Sequence, residues 1–407
     1  MVRIVFCLLV VAPLIASAEE PGRLTVDHQL TLSNVVEAAY VRSPRQAVLR
    51  AGNSVVIARE IQAGSPLPGA PALVARHQSD AIGSGRNLVE WEAGLEIPLW
   101  LPGQRAAREA VAQEVRSELT ADQNGLKLLI AGQVRDAVWA LELNRSAAAL
   151  AETRLRTAQS LQADVEKRWK AGELAKTDTL LVQNETLQAQ TQWLRAVAEL
   201  NHAEHRYWML TGLKQRPQAA GETRTAQAGI NDSHPLLAEE SARVELARSE
   251  RNLVQTERRE NPQLAFNTRH ERGAFDTEFN NSIGVSLRIP LDAEVRAAPM
   301  LASAEMALGE AMSRHAQQKI NLQALLHEAE HNLETTLAEL GVIESQQSLT
   351  QENLRLAKKS FDMGESDLVS LLRVQALARE TEVALGSRRI QLQWDIARYN
   401  QAVGVLP

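Results

Sequence analysis

The stretch NLVEWEAGLEIPLW, residues 87–100, alternates with a period of two. Val89, Trp91, Ala93, Leu95, Ile97 and Leu99 point one way, while Glu90, Glu92, Gly94 and Glu96 point the other. Successive side chains of a β-strand lie on opposite faces, so this is a strand with one apolar and one hydrated face. The segment NSIGVSLRIPL, residues 281–291, repeats the pattern: Ile283, Val285, Leu287, Ile289 and Leu291 oppose Ser282, Gly284, Ser286 and Arg288. Each is preceded by a less regular alternating partner, PALVARHQ (71–78) or PQLAFNTRHE (262–271), and a short polar loop. The pattern predicts two β-hairpins, about 71–100 and 262–291. Apolar-out and polar-in over about 10 residues is the habit of a transmembrane barrel strand, with Trp91, Trp100 and Phe266 as interfacial or lipid-facing aromatics. A soluble hairpin with one buried face reads the same way. The carboxylates of Glu90, Glu92 and Glu96 call for water on their face in either case. Four strands fall short of the about eight used by the smallest membrane barrels, and open edges cannot remain in hydrocarbon. A barrel made from these strands needs several chains.

A shift of 192 residues lays the chain on itself. Leu95, Ile97, Pro98 and Leu99 fall on Leu287, Ile289, Pro290 and Leu291; Gly172 falls on Gly364; Arg206, Tyr207 and Gly212 fall on Arg398, Tyr399 and Gly404. One register held over so many separate landmarks is an internal duplication. The first repeat runs 19–212 and the second 236–404, with 213–235, rich in Gly, Pro, Gln and Thr, as linker. Each repeat has a helix of moderate length (about 31–62 and 236–258), then a hairpin. A long helical hairpin follows (about 103–212 and 294–404), broken at Gly172 or Gly364. Positions 130, 134, 137, 141, 144, 148, 151, 155, 158, 162, 165 and 169 step by four and three, all apolar except Asn144 and Gln162. The stripe survives the shift, from Leu322 to Phe361, which makes it a coiled-coil seam. A helix from Gln104 to Trp169 would be ~100 Å long at 1.5 Å per residue, and such a rod must pack along its length against other rods.

Composition agrees. Aromatic residues are only 4%, and Ala, Leu, Gln, Glu and Arg dominate long stretches, as in long helices. A net charge of -6 with acids and bases nearly balanced leaves no basic stripe and no basic-aromatic cluster, so no nucleic-acid partner is expected. Arg3, the run IVFCLLVVAPLIA and then Ala16-Ser17-Ala18 read as an export signal, residues 1–18. That run is too short to span a bilayer, and no later stretch approaches ~20 uninterrupted apolar residues. Cys7, the only cysteine, lies within the signal. The exported chain is then without thiol or disulfide, and packing alone carries its stability.

His327-Glu328-Ala329-Glu330-His331 matches the H-E-x-x-H spacing of zinc peptidases, in which two imidazoles on one helix face grip zinc and the glutamate activates water. With Leu326, Ala329 and Leu333 on the seam, both histidines fall on the polar sides of a long helix. No water-excluding cleft is expected there. The reading is of surface residues, with no catalytic site, no metal and no cofactor. His202 and His205, an i,i+3 pair, read the same way.

The duplicated halves, the junction IPLWLPGQR (97–105) with its echo IPLDAEVR (289–296), and the turns RWKAGELAKTDTLLVQ (168–183) and SFDMGESDLVSLLRVQ (360–375) carry a resemblance. Over about residues 30–404 the chain resembles the TolC-type outer-membrane efflux family. The resemblance implies a mainly α fold with a small β membrane part. Three chains would close a 12-stranded β-barrel on an α-helical barrel that crosses the periplasm of a Gram-negative bacterium. It implies a passive exit duct, not an enzyme, partnered by a periplasmic adaptor (membrane fusion) protein and an inner-membrane pump, of RND type, and seated in outer-membrane lipid. The helical tips would be the periplasmic entrance and the adaptor-docking site, through Trp169, Gly172, Leu174, Asp178, Phe361, Gly364, Asp367 and Leu368. Glu90, Glu92, Glu96 and Arg288 would face the lumen. Asp178 matches the family's acidic tip position, where three copies would make a cation-favouring ring. In the second half Ser370 stands at the equivalent place, with Asp367 nearby. The unlipidated N-terminus and the length resemble the heavy-metal-cation branch. Drug efflux or type I secretion by the same family are alternatives, as is a structural coiled-coil envelope protein, which would explain the heptads but not the amphipathic hairpins.

Overall fold

The computed structural model describes residues 23–218, 220–291 and 294–407. The export signal and Cys7 lie outside the described residues. In chain order the elements are β1 Thr25–Asp27, α1 Leu32–Arg42, α2 Gln46–Gly64, β2 Ala72–Ser79, β3 Val89–Pro98, α3 Gln104–Lys170 and α4 Lys176–Thr211. The second half supplies β4 Gln215–Pro217, α5 Pro235–Thr256, β5 Gln263–Arg272, β6 Asn280–Arg288, α6 Glu294–Asp362 and α7 Leu368–Ala402. The protein is mainly helical with a small sheet part. Among the described residues no helix is long and apolar enough to cross a membrane.

The single helix expected at about 31–62 is two. Pro44 has no N–H and disfavours helical geometry in Ser43, so α1 stops at Arg42 and α2 starts two residues past the proline. A second feature not expected from sequence is the parallel pair of β1 with β4, in the register Thr25↔Gln215 to Asp27↔Pro217.

The chain divides into two units. One comprises residues up to Ala39, Asp136–Ala220 and Leu340–Gln391; the other comprises Tyr40–Arg135, Gly221–Glu339 and Leu392–Pro407. In the first unit the seam residues Leu141, Ala148, Ala158 and Val165 are buried, as is Phe361. The buried seam threonine Thr350 is matched by the hydroxyl of Thr381 at 2.8 Å, so this polar seam position is satisfied. One carboxylate joins three helices of this unit: Glu185 Oε1 accepts from Arg154 Nη2 at 2.9 Å and from Arg379 Nη1 at 2.8 Å.

In the second unit Ile130, Val134, Leu322, Leu326, Ala329 and Leu333 are buried, and Thr336 donates to Asp395 at 2.7 Å. Linker residues 222–227 lie against the end of α7. Asn400 donates to the Thr223 carbonyl at 3.0 Å and accepts from the Thr225 amide at 3.0 Å. Tyr399 donates to the Gln227 carbonyl at 3.0 Å. Helix α7 ends in a left-handed turn at Gly404 (φ 84°), with the amides of Gly404 and Val405 bonding back to the Gln401 and Asn400 carbonyls. A Cβ at Gly404 would meet the His234 ring at 2.7 Å.

His234 is buried and caps α5, its Nδ1 accepting the Leu236 amide at 3.3 Å. Burial holds its imidazolium below the usual histidine value, partly offset by a backbone contact at Ala402. The unfolded chain then binds the proton more readily, so stability present at neutral pH is lost as pH falls below about 6.5. The share of the melting temperature that this histidine carries is expected to fall between pH 7 and pH 5.5. His234→Asn, which keeps a capping oxygen, is expected to flatten that part of the profile; an unchanged slope would refute the assignment. Glu118 and Glu239 oppose it: burial raises both carboxyls, so their contribution declines as pH climbs above 4.5.

Candidate functional site

The four-stranded sheet, all within the second unit, has the order β2-β3-β5-β6 and is antiparallel throughout. The two hairpins are therefore joined through β3 and β5, which among the described residues leaves the outer edges of β2 and β6 unpaired. Register partners share a face. On one face lie Arg76, Gln78, Glu90, Glu92, Glu96, Asn267, Arg269, Glu271, Ser282, Ser286 and Arg288. On the other lie Leu73, Ala75, Trp91, Ala93, Leu95, Ile97, Leu264, Phe266, Ile283, Val285 and Leu287. Leu73, Trp91, Leu95, Phe266, Ile283, Val285 and Leu287 are all exposed, an uncovered apolar face in a chain taken by itself.

Glu90, Glu92, Glu96 and Arg288 thus lie together on the polar face, and Trp91 and Phe266 on the apolar one. Trp100 lies past the end of β3. Its indole N–H donates to the Pro66 carbonyl at 3.0 Å, with the Arg108 guanidinium 4.8 Å from the ring centre. Three of the four acids of the polar face, Glu90, Glu92 and Glu271, have partners. Arg269 donates to Glu90 at 2.6 Å and lies 2.8 Å from Glu271, and Asn267 donates to Glu92 at 2.6 Å. Sequence reasoning missed Arg269, whose place follows from the β3–β5 register, Glu92↔Arg269.

The helical tips lie in the first unit, and they meet. Val165 and Val182 from the first tip share one buried cluster with Phe361, Leu368 and Leu371 from the second, and Leu174 and Leu372 pack against it. Arg168 reinforces the junction: its guanidinium is 5.1 Å from the Phe361 ring centre and 3.7 Å from Asp362. Trp169, at the end of the seam, is half-exposed, whereas its counterpart Phe361 is buried.

Both tips turn the same way. Gly172 has φ 79° and Gly364 φ 76°; in each the glycine amide bonds three residues back and the next amide bonds five back. A Cβ at either glycine would meet nothing within 4 Å. Alanine there carries only backbone strain, so Gly172→Ala and Gly364→Ala are each expected to destabilise by about 1–2 kcal/mol, with asparagine milder. A melting series checks this, and a loss well above that range would mean the turn backbone itself had rearranged.

The acids beyond the turns cap the following helices in reciprocal ways. In the first tip Asp178, three residues into the helical start, accepts the Ala175 amide at 3.2 Å. In the second, Asp367 stands at the start itself and accepts the Ser370 amide at 2.7 Å. The Ser370 amide and hydroxyl hold the Asp367 carboxyl below the ordinary aspartate value. Ser370 thus stands where Asp178 stands, and each tip has one carboxylate serving its helix N-terminus.

His327, Glu328 and His331 are exposed on α6, flanked by buried Leu326, Ala329 and Leu333. Among the described residues no group of three or more His, Cys, Asp or Glu side chains is placed to hold a metal ion.

No protein-family model and no curated protein matches the sequence. Solved structures do match. The chain is similar to VceC, an outer membrane protein of Vibrio cholerae, with a TM-score of 0.73 at 15% identity over 92% of this chain and 97% of that one. It is similar to the open state of the Neisseria gonorrhoeae outer membrane channel MtrE, with a TM-score of 0.69 at 15% identity over 92% and 89%. It is similar to CusC, whose structures concern folding and transmembrane channel formation, with a TM-score of 0.73 at 15% identity over 94% of both chains. An amphipathic four-stranded sheet with two open edges, set among paired long helices, thus gives this chain the fold of outer-membrane channel proteins.

Proposed function

We propose that the chain is one protomer of a trimeric outer-membrane efflux duct, of the TolC type, that passively passes substrates delivered by an inner-membrane pump and a periplasmic adaptor. The observation that carries this reading is the sheet: one hydrated face, one exposed apolar face, and unpaired edges at β2 and β6. Open edges are not tolerated in hydrocarbon, and four strands cannot close alone. Three copies pairing β6 of one with β2 of the next would give twelve strands, enclose the polar face as lumen and turn the apolar face to lipid. Trp91 and Phe266 then face lipid and Trp100 its border. The tips Trp169 to Leu181 and Phe361 to Arg373 serve as periplasmic entrance and adaptor dock, with Asp178 and Asp367 as entrance charges.

As substrate we favour heavy-metal cations, on the acids of the polar face and the tips, with drugs or a secreted polypeptide as alternatives. The balance is narrow: Glu90, Glu92, Glu96 and Glu271 share that face with Arg76, Arg269 and Arg288. The duct therefore need not choose, and the pump sets selectivity. Detergent-extracted protein is expected to migrate as a heat-resistant trimer, and deletion of residues 82–100 is expected to abolish both the trimer and substrate export. A monomer that remains soluble without detergent would rule the reading out and favour a structural coiled-coil protein. Zinc-dependent peptide cleavage lost in Glu328→Gln would revive the peptidase reading.

A further inference from the structure

The loop end of the sheet carries cations that the chain does not neutralise. Arg272 closes β5 on the apolar face, in register with Val89. Its guanidinium lies 4.9 Å from the centre of the Phe279 ring, and its Nε, shielded from water, has no hydrogen-bond partner. Arg86, in the β2–β3 loop, lies 5.8 Å from the Phe275 ring centre. Neither side chain has a carboxylate partner among the described residues. Arg269 is matched by Glu90 and Glu271, Arg108 by Glu257 and Arg296 by Glu260. Arg76 and Arg288, which lack a carboxylate among the described residues, lie on the polar face, where Arg76 donates to Gln78 at 3.2 Å. Two acids of the loops are turned onto their own backbone. Asp80 accepts the amides of Arg86 and Leu88, and Asp276 that of Gly273. Glu278 is the remaining acid of the two loops.

Below these arginines, one cross-strand row on the apolar face holds His77, Trp91, His270 and Asn281. The His77 ring stacks on Trp91 at 3.9 Å, and the His270 ring on Phe279 at 4.3 Å. Phe275 and Ile82 are exposed at the loop tips. Indole, imidazole and guanidinium side by side above an apolar band is the chemistry of a membrane interface, where arginine is tolerated on the lipid side and tryptophan is favoured. An unpaired guanidinium there meets a phosphate ester as a planar, two-pronged donor, and the rings rest against the glycerol and upper acyl region.

We propose that the loop end of the apolar face is a seat for a phosphate-bearing lipid headgroup, held by Arg272 and Arg86 above the His77, Trp91 and His270 row. The proposal rests on the reading of that face as lipid-facing. Full-length assembled protein in a neutral detergent is titrated with dioleoyl phosphatidylglycerol or dioleoyl phosphatidylcholine, and retained lipid is counted by native mass spectrometry. Phosphatidylglycerol is expected to be retained preferentially and the preference to weaken with salt. Arg272→Gln and Arg86→Gln should each reduce it about fivefold, whereas Arg288→Gln, on the opposite face, should leave it unchanged. Equal retention of both lipids by the unaltered protein overturns the proposal even if a variant fails to assemble. So does a preference that survives the double substitution, or one abolished by millimolar inorganic phosphate, which would make a free anion the ligand. Binding of neither lipid, by a chain soluble without detergent, would instead overturn the membrane reading.

Discussion

Arg135→Ala is expected to lower the unfolding free energy by about 3–5 kcal/mol. The side chain is 1% exposed, yet each arm of its guanidinium is answered. Nε and Nη2 donate to the two oxygens of Glu222 at 2.8 and 2.6 Å, Nη1 donates to Gln401 at 2.6 Å, and Nη2 also reaches the Val405 carbonyl at 3.0 Å. One cation thus ties α3 to the linker and to the last residues of the chain. Truncation leaves a carboxylate, an amide oxygen and a carbonyl facing a void too polar to stay dry, and this stranded Glu222 charge accounts for most of the loss. Arg135→Lys keeps the charge but not the fork, so it should recover only part of the stability. Denaturation in detergent micelles measures the effect, and the double variant with Glu222→Gln should lose much less than the sum of the single changes. A loss under about 1 kcal/mol would show that the network contributes little.

Phe266→Lys is expected to abolish assembly in the membrane. Phe266 lies in the cross-strand row Leu95↔Phe266↔Val285, on the exposed apolar face. A lysine facing lipid near the bilayer centre costs about 2–4 kcal/mol, incurred once in every copy of the assembly. Asn267, the next residue, lies on the other face beside Glu92, and Asn267→Lys should be tolerated because it meets water and a carboxylate. The comparison isolates the face, since the strand and the introduced lysine are the same and the positions adjacent. The amount of heat-resistant oligomer in membrane fractions is the readout. Equal assembly of the two variants would show that the apolar face does not meet lipid.

Periodicity made the long elements readable in advance. The alternation in 87–100 and the four-three stripe from 130 to 169 each repeat often enough to outweigh local exceptions, and both have the expected faces. What periodicity does not contain is which element lies beside which. The β3–β5 pairing joins residues some 175 apart, so the match of Arg269 to Glu90 could not be read from the weaker alternation of 262–271. The β1–β4 pair is three residues long, too short for any pattern to emerge. At the tips, alignment of the halves sets Asp178 against Ser370 and suggests a lost acid. The geometry shows the carboxylate moved three positions, from the far end of the cap to its start. The H-E-x-x-H string shows the converse: its spacing matches, yet His327, Glu328 and His331 lie exposed beside the buried seam residues Leu326, Ala329 and Leu333.

The open margins of β2 and β6 also bear on the chain's life before it reaches its partners. A solitary copy in water offers two ribbons of unsatisfied amides and carbonyls next to a greasy surface, the template on which misdirected strand addition and aggregation begin. Under the proposed trimeric assembly, delivery would be a race between meeting sister copies and clumping, and an escort that shields those margins in transit would decide the yield.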